Sequence, residues 1–413
     1  MMPERLPISS IPSHVGQTHE CDPAKYVLIC KPALPKMMGT LHPAGSLYEK
    51  PVNTELAKAQ HEAFREKMES HGVSVLEVGD ILRYDTEENI NARIALEDFA
   101  LKSLEYEFDK SSMGEASSDD LYYIGEEYKR VTIEGLSAEQ LVDIILTRPK
   151  VTLLKSHRDT GFTACYNFKP LANIVFTRDQ QITTRRGIVL GRLASEQRAH
   201  EVDVMQFCFK KLNLEIAARI PAPGTLEGGD FFPVGEDLSI CGIGLRTNQE
   251  AIDYMLSNKL FGTRRVAIIR DEFDCCQDRL HLDTVFNILT PSFCVAWERM
   301  LGDSSKVKRI VDEYVLGPNS HEYEKKIEGM EFSAYLQENG FTIIPVRDKD
   351  QLQYGCNSLS LGNGRILAVN EKVAREIVRT PNFDGTIDLV DFSAITAMYG
   401  AVHCASQVIC REP

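Results

Sequence analysis

The stretch QDRLHLDTVF, residues 277–286, sets His281 two positions before Asp283, interleaved with Leu280, Leu282 and Val285. In a strand, positions i and i+2 point to one face. This spacing therefore predicts an imidazole and a carboxylate that emerge together, opposite an apolar face. Such a pair can shuttle a proton; it can equally be a core histidine held by its neighbour. LEGGD (226–230) sets Glu227 and Asp230 around two glycines, which permit close backbone approach or a positive φ, or simply a hairpin turn. ANIVFTRD brackets a short apolar run with Asn173 and Asp179, where a strand followed by a turn is expected. Near the other end of the chain, MYGAVHC places His403 beside Cys404, and the small residues Gly400, Ala401 and Val402 leave room for a ligand to approach the sulfur. A thiol with a pKa near ~8.5 is a good nucleophile once ionised, although most cysteines are buried apolar filler. A zinc site from Cys275, Cys276 and His281 is a further reading. Adjacent cysteines seldom hold one ion, and no ligand-pair spacing supports it, so no metal is expected. The Gly/Asn-rich stretch 353–369, QYGCNSLSLGNGRILAV, matches no phosphate-binding loop.

These residues need elements to carry them. KYVLIC (25–30) reads as a strand. Asn53 or Thr54 caps a helix that points Phe64 and Met68 inward and ends at Gly72, and VSVLEV follows. Between about Asp85 and Arg148, Ile90, Ile94, Leu101, Leu104 and Phe108 recur at spacings of 4, 7, 3 and 4, a helical stripe. SSMGEASSDD reads as a loop, and Ser137 with Gln140 forms a capping box ahead of LVDIIL. This segment is expected to be a helical insertion. Beyond Lys150, short β-rich runs alternate with helices: IVF, GIVL, a helix over about Ser195–Leu212, LEIAARI, a helix near Gln249–Asn258, RVAIIR, a helix containing Phe332, Tyr335 and Leu336, then FTIIPV. That alternation defines an α/β protein. IVFTRD, VAIIRD and TIIPVRD end alike, a faint self-similarity that suggests a repeated module.

Composition narrows the classes. The 413 residues are 43% apolar and 26% charged, with a net charge of −14, which argues against nucleic acid or an anionic membrane as the main partner. No apolar run approaches the ~18 residues of a membrane span. The first residues lack a basic and an apolar region, so no secretory signal is expected and the cytoplasm is the default location. Eleven scattered cysteines without a CxxC pair favour reduced thiols.

Taken together and in order, FTRD, LEGGD, GIGLRT, HLDTVF and a C-terminal HC after a glycine-containing loop resemble the arginine deiminases of the guanidino-group-modifying superfamily, and FTRDQQITTRRGIVLG, QDRLHLD and MYGAVHCASQV most resemble the protist-type members. The resemblance implies a five-bladed α/β-propeller of ββαβ modules around a pseudo-fivefold axis. It divides the chain into an N-terminal arm (1–23), a catalytic domain (24–84 and 149–413) and a helical insertion (85–148). It implies that the last strand closes the ring and buries Cys404 at the centre. Residue by residue, Cys404 matches the nucleophile, and His281 and Asp283 match the HxD motif. Asp179 matches a guanidinium-binding carboxylate, and Glu227 the acid that supports the histidine. Arg198 and Arg246 match arginines that bind the substrate carboxylate, Asn173 a contact to the amino-acid end, and Asp230 a structural neighbour grouped with these substrate-binding residues. The implied reaction converts L-arginine to L-citrulline and ammonia without metal or cofactor, in a homodimer or higher homo-oligomer. An amidinotransferase, an agmatine deiminase, an ornithine-forming dihydrolase and a non-catalytic arginine-binding protein are the alternatives. One departure stands out: many bacterial members carry an arginine and a run of glycines before HC, where this chain has Tyr399-Gly400-Ala401-Val402.

Overall fold

The computed structural model describes residues 11–109, 117–156, 161–274, 276–317 and 322–412. Among the described residues, five units repeat one connectivity: an antiparallel strand pair, then a helix, then a third strand parallel to the second. Parallel strands need such a crossover. The first unit joins the two ends of the chain. Gln407–Arg411 lies antiparallel to Ala24–Ile29, which pairs in parallel with Ser74–Glu77 across the helix Thr54–Ser70. The second is Gln181–Thr184, Gly187–Leu190, the helix Glu201–Lys211 and Ile216–Arg219. The third is Phe231–Pro233, Leu238–Ile243, the helix Gln249–Ser257 and Arg265–Arg270, widened by the hairpin Ile310–Leu316 and Tyr323–Glu331. The fourth is Phe286–Thr290, Phe293–Trp297, the helix Phe332–Glu338 and Thr342–Val346. The fifth is Leu359–Gly362, Arg365–Ala368, the helix Glu371–Val378 and Thr386–Leu389. The molecule is thus a mixed α/β fold.

Middle strands covered on both faces become continuous apolar runs rather than alternating ones, which is why KYVLIC and GIVL stand out in the sequence. Neighbouring units share cores in succession. Leu28 of the first packs in one cluster with Ile188 of the second, Val189 of the second with Cys241 of the third, and Ile240 of the third with Ile288 of the fourth. Val295 of the fourth joins Ile366 of the fifth, and Leu359 of the fifth joins Val27 of the first.

The segment between the first and second units holds the helices Ile90–Ser103, Ser118–Tyr122, Glu126–Glu134 and Ala138–Thr147. Ser137 and Gln140 form the expected capping box. The segment also holds a strand, Glu105–Phe108, which pairs with Pro149–Lys155 and through it with Phe162–Phe168. The expected stripe is displaced. Ile90 and Ile94 are 68% and 44% exposed, while Leu96, Ala100 and Ser103 face inward. The stripe fails because Leu104 and Phe108 lie beyond the helix, so the spacing was read across its end. Most of the loop expected over residues 111–120 lies outside the described residues.

Three further expectations change. IVF is not a strand: Ala172–Val175 and Thr177–Gln180 are turns, and pairing begins at Gln181. Burial, not strand pairing, makes that run apolar. The helix expected over Ser195–Leu212 splits into a 3-10 turn, Glu196–Arg198, and the α-helix Glu201–Lys211. His281–Asp283 is not a strand either. His281 is extended, and Leu282–Thr284 form a 3-10 turn just before Phe286–Thr290. Residues 11–23 hold no helix or named strand, yet Glu20 is fully buried and its carboxylate accepts from Arg411 Nη2 at 2.7 Å.

Candidate active site

A cavity of about 30 Å³ is lined by Asn173, Asp179, Arg198, Arg246, His281 and Cys404, together with Leu47, Phe176, Gln277, Leu280, Met398 and Tyr399. Six of the nine expected residues therefore meet there. Glu227 and Asp283 stand immediately behind the wall. Cys404 occupies the turn ahead of the last strand, only 5% exposed. Its carbonyl accepts from Arg178 N–H at 3.1 Å. The Gln407–Arg411 pairing with Ala24–Ile29 therefore fixes a catalytic-type thiol nine residues from the C-terminus.

His281 is the one imidazole among the cavity's lining residues. Its Nε2 lies 2.8 Å from Glu227 Oε2, and its Nδ1 lies 3.7 Å from Asp179 Oδ1. Burial alone would discharge this imidazole. The charge of Asp179 and the hydrogen bond to Glu227 outweigh burial and raise His281 to about 9. Burial likewise opposes the charge of Glu227, but the hydrogen bond and charge of His281, followed by Arg198 and Arg246, hold that carboxyl down to about 2. The two form an imidazolium–carboxylate pair. The glycines of LEGGD serve this pair by close approach. A Cβ at Gly229 would stand 2.7 Å from His281 Nδ1, and one at Gly228 would stand 2.0 Å from the Arg178 carbonyl oxygen.

Two carboxylates flank the sulfur. Asp283 Oδ2 accepts from His403 Nδ1 at 2.7 Å and lies 3.5 Å from Cys404 Sγ. Burial raises Asp283, but the His403 hydrogen bond prevails and keeps it below its usual range. Asp179 Oδ2 accepts from Arg198 Nη1 at 2.8 Å. The other oxygen of each, Asp179 Oδ1 and Asp283 Oδ1, is buried with no hydrogen-bond partner among the described residues. Buried carboxylate oxygens without donors are costly. A planar cation rich in N–H donors satisfies both. Burial, then the charges of Asp283 and Asp179, push the Cys404 thiol well above its ordinary value.

Arg246 reaches the wall with its Nη2 donating to Gln277 Oε1 at 3.3 Å and its Nη1 3.9 Å from Glu227. Arg198 is more committed: Nε and Nη2 donate to Glu201 at 3.1 and 2.9 Å, in addition to the Asp179 bond. Asn173 Nδ2 donates to the Ser46 carbonyl at 2.9 Å. Asp230 departs from its grouping with the substrate-binding residues. It does not line the cavity, and its oxygens accept from Thr247 Oγ1 at 2.6 Å and Leu282 N–H at 2.9 Å. It braces the turn that carries His281 and Asp283.

Asp179, Glu227 and His281 each offer one atom within a 4.8 Å set that could hold a metal ion. Two members of that set, His281 and Glu227, already hydrogen-bond each other at 2.8 Å. Cys275 lies outside the described residues, so the zinc reading is not tested. Reasoning from the sequence missed Asn357, which touches the Cys404 sulfur, and the bond from His403 to Asp283. Their partners lie 47 and 120 residues away, beyond the reach of any spacing rule.

Solved structures with this arrangement of elements include DDAH from Pseudomonas aeruginosa, as a cysteine-to-serine mutant complexed with citrulline. It matches at TM-score 0.53 and 17% identity, over 93% of this chain and 98% of the other. The N-terminal domain of a cyanobacterial arginine dihydrolase, bound to substrate, matches at TM-score 0.55 and 13% identity, over 94% and 98%. These likenesses establish the fold. Among sequence relatives, arginine deiminase of Halobacterium salinarum is 23% identical over 488 residues, covering 97% of each chain. Arginine deiminase of Staphylococcus aureus is 23% identical over 395 residues, covering 89% of this chain and 91% of its own. A model of the family described as arginine deiminase matches residues 45–411, and the chain belongs to that family.

Proposed function

We propose that the chain hydrolyses L-arginine to L-citrulline and ammonia. The observation that carries this reading is the pair of buried carboxylate oxygens without a hydrogen-bond partner among the described residues, Asp179 Oδ1 in the cavity wall and Asp283 Oδ1 of the carboxylate 3.5 Å from the Cys404 sulfur. A guanidinium is planar and presents N–H donors to both. Its positive charge also offsets the two acids that oppose thiolate formation, so substrate binding itself favours ionisation of Cys404. Fixing the central carbon against the sulfur contributes several kcal/mol of the ~7–11 that positioning can supply at best.

The Cys404 proton passes to solvent as the guanidinium binds, and the thiolate adds to the guanidino carbon. His281, protonated at neutral pH, passes its proton to the departing nitrogen, and ammonia leaves. The carbon–sulfur bond is retained in a thiouronium. The neutral imidazole then takes one proton from water, the water oxygen attacks the same carbon, the carbon–sulfur bond breaks, the second water proton returns to the sulfur, and citrulline departs. Glu227 keeps the imidazole oriented and favours its protonated form. Arg246, with Arg198 and Asn173, takes the amino-acid end. No cofactor enters this cycle.

The successive shared cores support reading the five units as blades of an α/β-propeller with the cavity on its axis, and the helices of 85–148 as an insertion between the first and second blades. A homo-oligomer in the cytoplasm is the setting expected for such an enzyme. No helix among the described residues is long and apolar enough to cross a membrane.

The test is product analysis. Enzyme and L-arginine alone should give citrulline and ammonia in equal amounts. Ornithine with two ammonia molecules, urea, or no turnover would overturn the assignment.

A further inference from the structure

Asn357, 1% exposed, lies two residues ahead of the strand Leu359–Gly362. Its side-chain oxygen accepts from His403 N–H at 3.1 Å and from Cys404 N–H at 3.5 Å. Its Nδ2 donates to the Asp283 carbonyl at 3.2 Å and reaches Cys404 Sγ at 3.1 Å. The four partners fix the amide's orientation. Reversing it would set two donors against backbone N–H groups and an oxygen against a carbonyl.

We infer, building on the reading of Cys404 as nucleophile, that Asn357 is a catalytic residue whose side-chain N–H stabilises the Cys404 thiolate. The neighbours of the sulfur explain why one is needed. Asp283 Oδ2, 3.5 Å away, accepts from the neutral thiol but repels the ionised one. Asp179 adds a second like charge, Arg178 is a nearby cation and Tyr354 a nearby phenol, while His281 and His403 face Asp283. Arg178 acts from behind, with its Nε donating to the His403 carbonyl at 3.2 Å. Of these contacts, the Asn357 amide is the neutral donor aimed at the sulfur, and a hydrogen bond to a charged acceptor is stronger than one to a neutral acceptor. The amide gives up no proton. It favours the thiolate before carbon–sulfur bond formation and again when that bond breaks to release citrulline.

The test uses the full chain and reads the sulfur directly. Asn357→Asp keeps the acceptor for the two backbone amides and replaces the donor with an oxygen. Asn357→Ser shortens the side chain but retains a donor. Cys404 alkylation by iodoacetamide is followed against pH by mass spectrometry of its peptide, beside kcat and KM for arginine. Asn357→Asp should move the alkylation midpoint up by about one pH unit or more and lower kcat by about ten- to a hundredfold, with KM changed less than about threefold. Asn357→Ser should fall between the two. In the wild type, the Asn357 side-chain amide resonances should titrate with the same midpoint as the alkylation. A folded Asn357→Asp with the wild-type midpoint, or wild-type amide resonances that ignore the titration, would reduce Asn357 to a brace for the Cys404 turn. Failure of the underlying reading looks different: Cys404→Ser would then turn over arginine, whatever Asn357 does.

Discussion

Arg246 and His281 carry the two charges whose removal has the most selective consequences. Arg246 lines the cavity with a 3.3 Å bond to Gln277 and a 3.9 Å approach to Glu227. A charge-assisted bond to a substrate carboxylate is worth about 1.5–3 kcal/mol, and each ~1.4 kcal/mol is tenfold. Arg246→Ala should therefore lower kcat/KM for arginine by roughly one to two decades. Agmatine, which lacks the carboxylate, should lose far less. Equal losses for both compounds would mean that Arg246 only braces Glu227. His281 makes a pH prediction. Its folded value of about 9 exceeds its unfolded value of 6.5, so the protonated pair with Glu227 stabilises the fold fully below pH 6.5 and loses that contribution as pH rises through about 9. The Tm difference between wild type and His281→Gln should accordingly shrink over that window. Catalysis should share the limb, because the first step needs the imidazolium: kcat/KM should decline above about pH 9. A decline centred near 6.5 would contradict the pairing.

At the scale of elements, the decisive device is the turn Gly228–Asp230. Its glycines are required by proximity, since the His281 ring occupies the space a Gly229 side chain would fill. Gly229→Ala should displace that ring and reduce kcat at least tenfold while the protein still folds. Gly228→Ala confronts a backbone carbonyl, which yields less easily, and should destabilise by about 1–3 kcal/mol or more. Comparing melting curves with kcat for the two variants separates these effects. Much of this level was legible in the sequence. The helix caps at Asn53 and Ser137 and the strands around Val27, Ile188 and Ile268 lie where pattern and capping chemistry place them. What escaped was structure without period. Ile174–Phe176 is apolar because it is buried, and Leu282–Thr284 is a 3-10 turn whose first amide Asp230 holds. Two of the three look-alike runs, VAIIRD and TIIPVRD, do occupy equivalent third strands, whereas IVFTRD does not.

At the scale of the whole molecule, both ends of the chain build the wall that holds the nucleophile. Arg411, in the last strand, donates to Glu20, to the Gln17 side chain and to the Asp22 carbonyl of the arm. Glu20 is fully buried and is held down to about 2: burial opposes its charge, but Arg411 and then His403 outweigh it. Arg411→Met would leave that carboxylate without its main partner and should cost about 3–5 kcal/mol, measurable by denaturant unfolding. An effect under ~1 kcal/mol would show the arm to be dispensable. The resemblance anticipated the burial of Cys404 and of the last strand, and it named residues that meet in the cavity. It could not supply Asn357, Glu20 or the bond from His403 to Asp283, whose partners come from distant parts of the chain. The central claim, a covalent link between Cys404 and the guanidino carbon, has a direct test. Enzyme quenched with acid during turnover of arginine should carry an added mass of arginine less ammonia on the peptide containing Cys404, and Cys404→Ser should show neither adduct nor turnover. Steady citrulline formation with no adduct under any quench, by a Cys404→Ser variant that remains active, would contradict it.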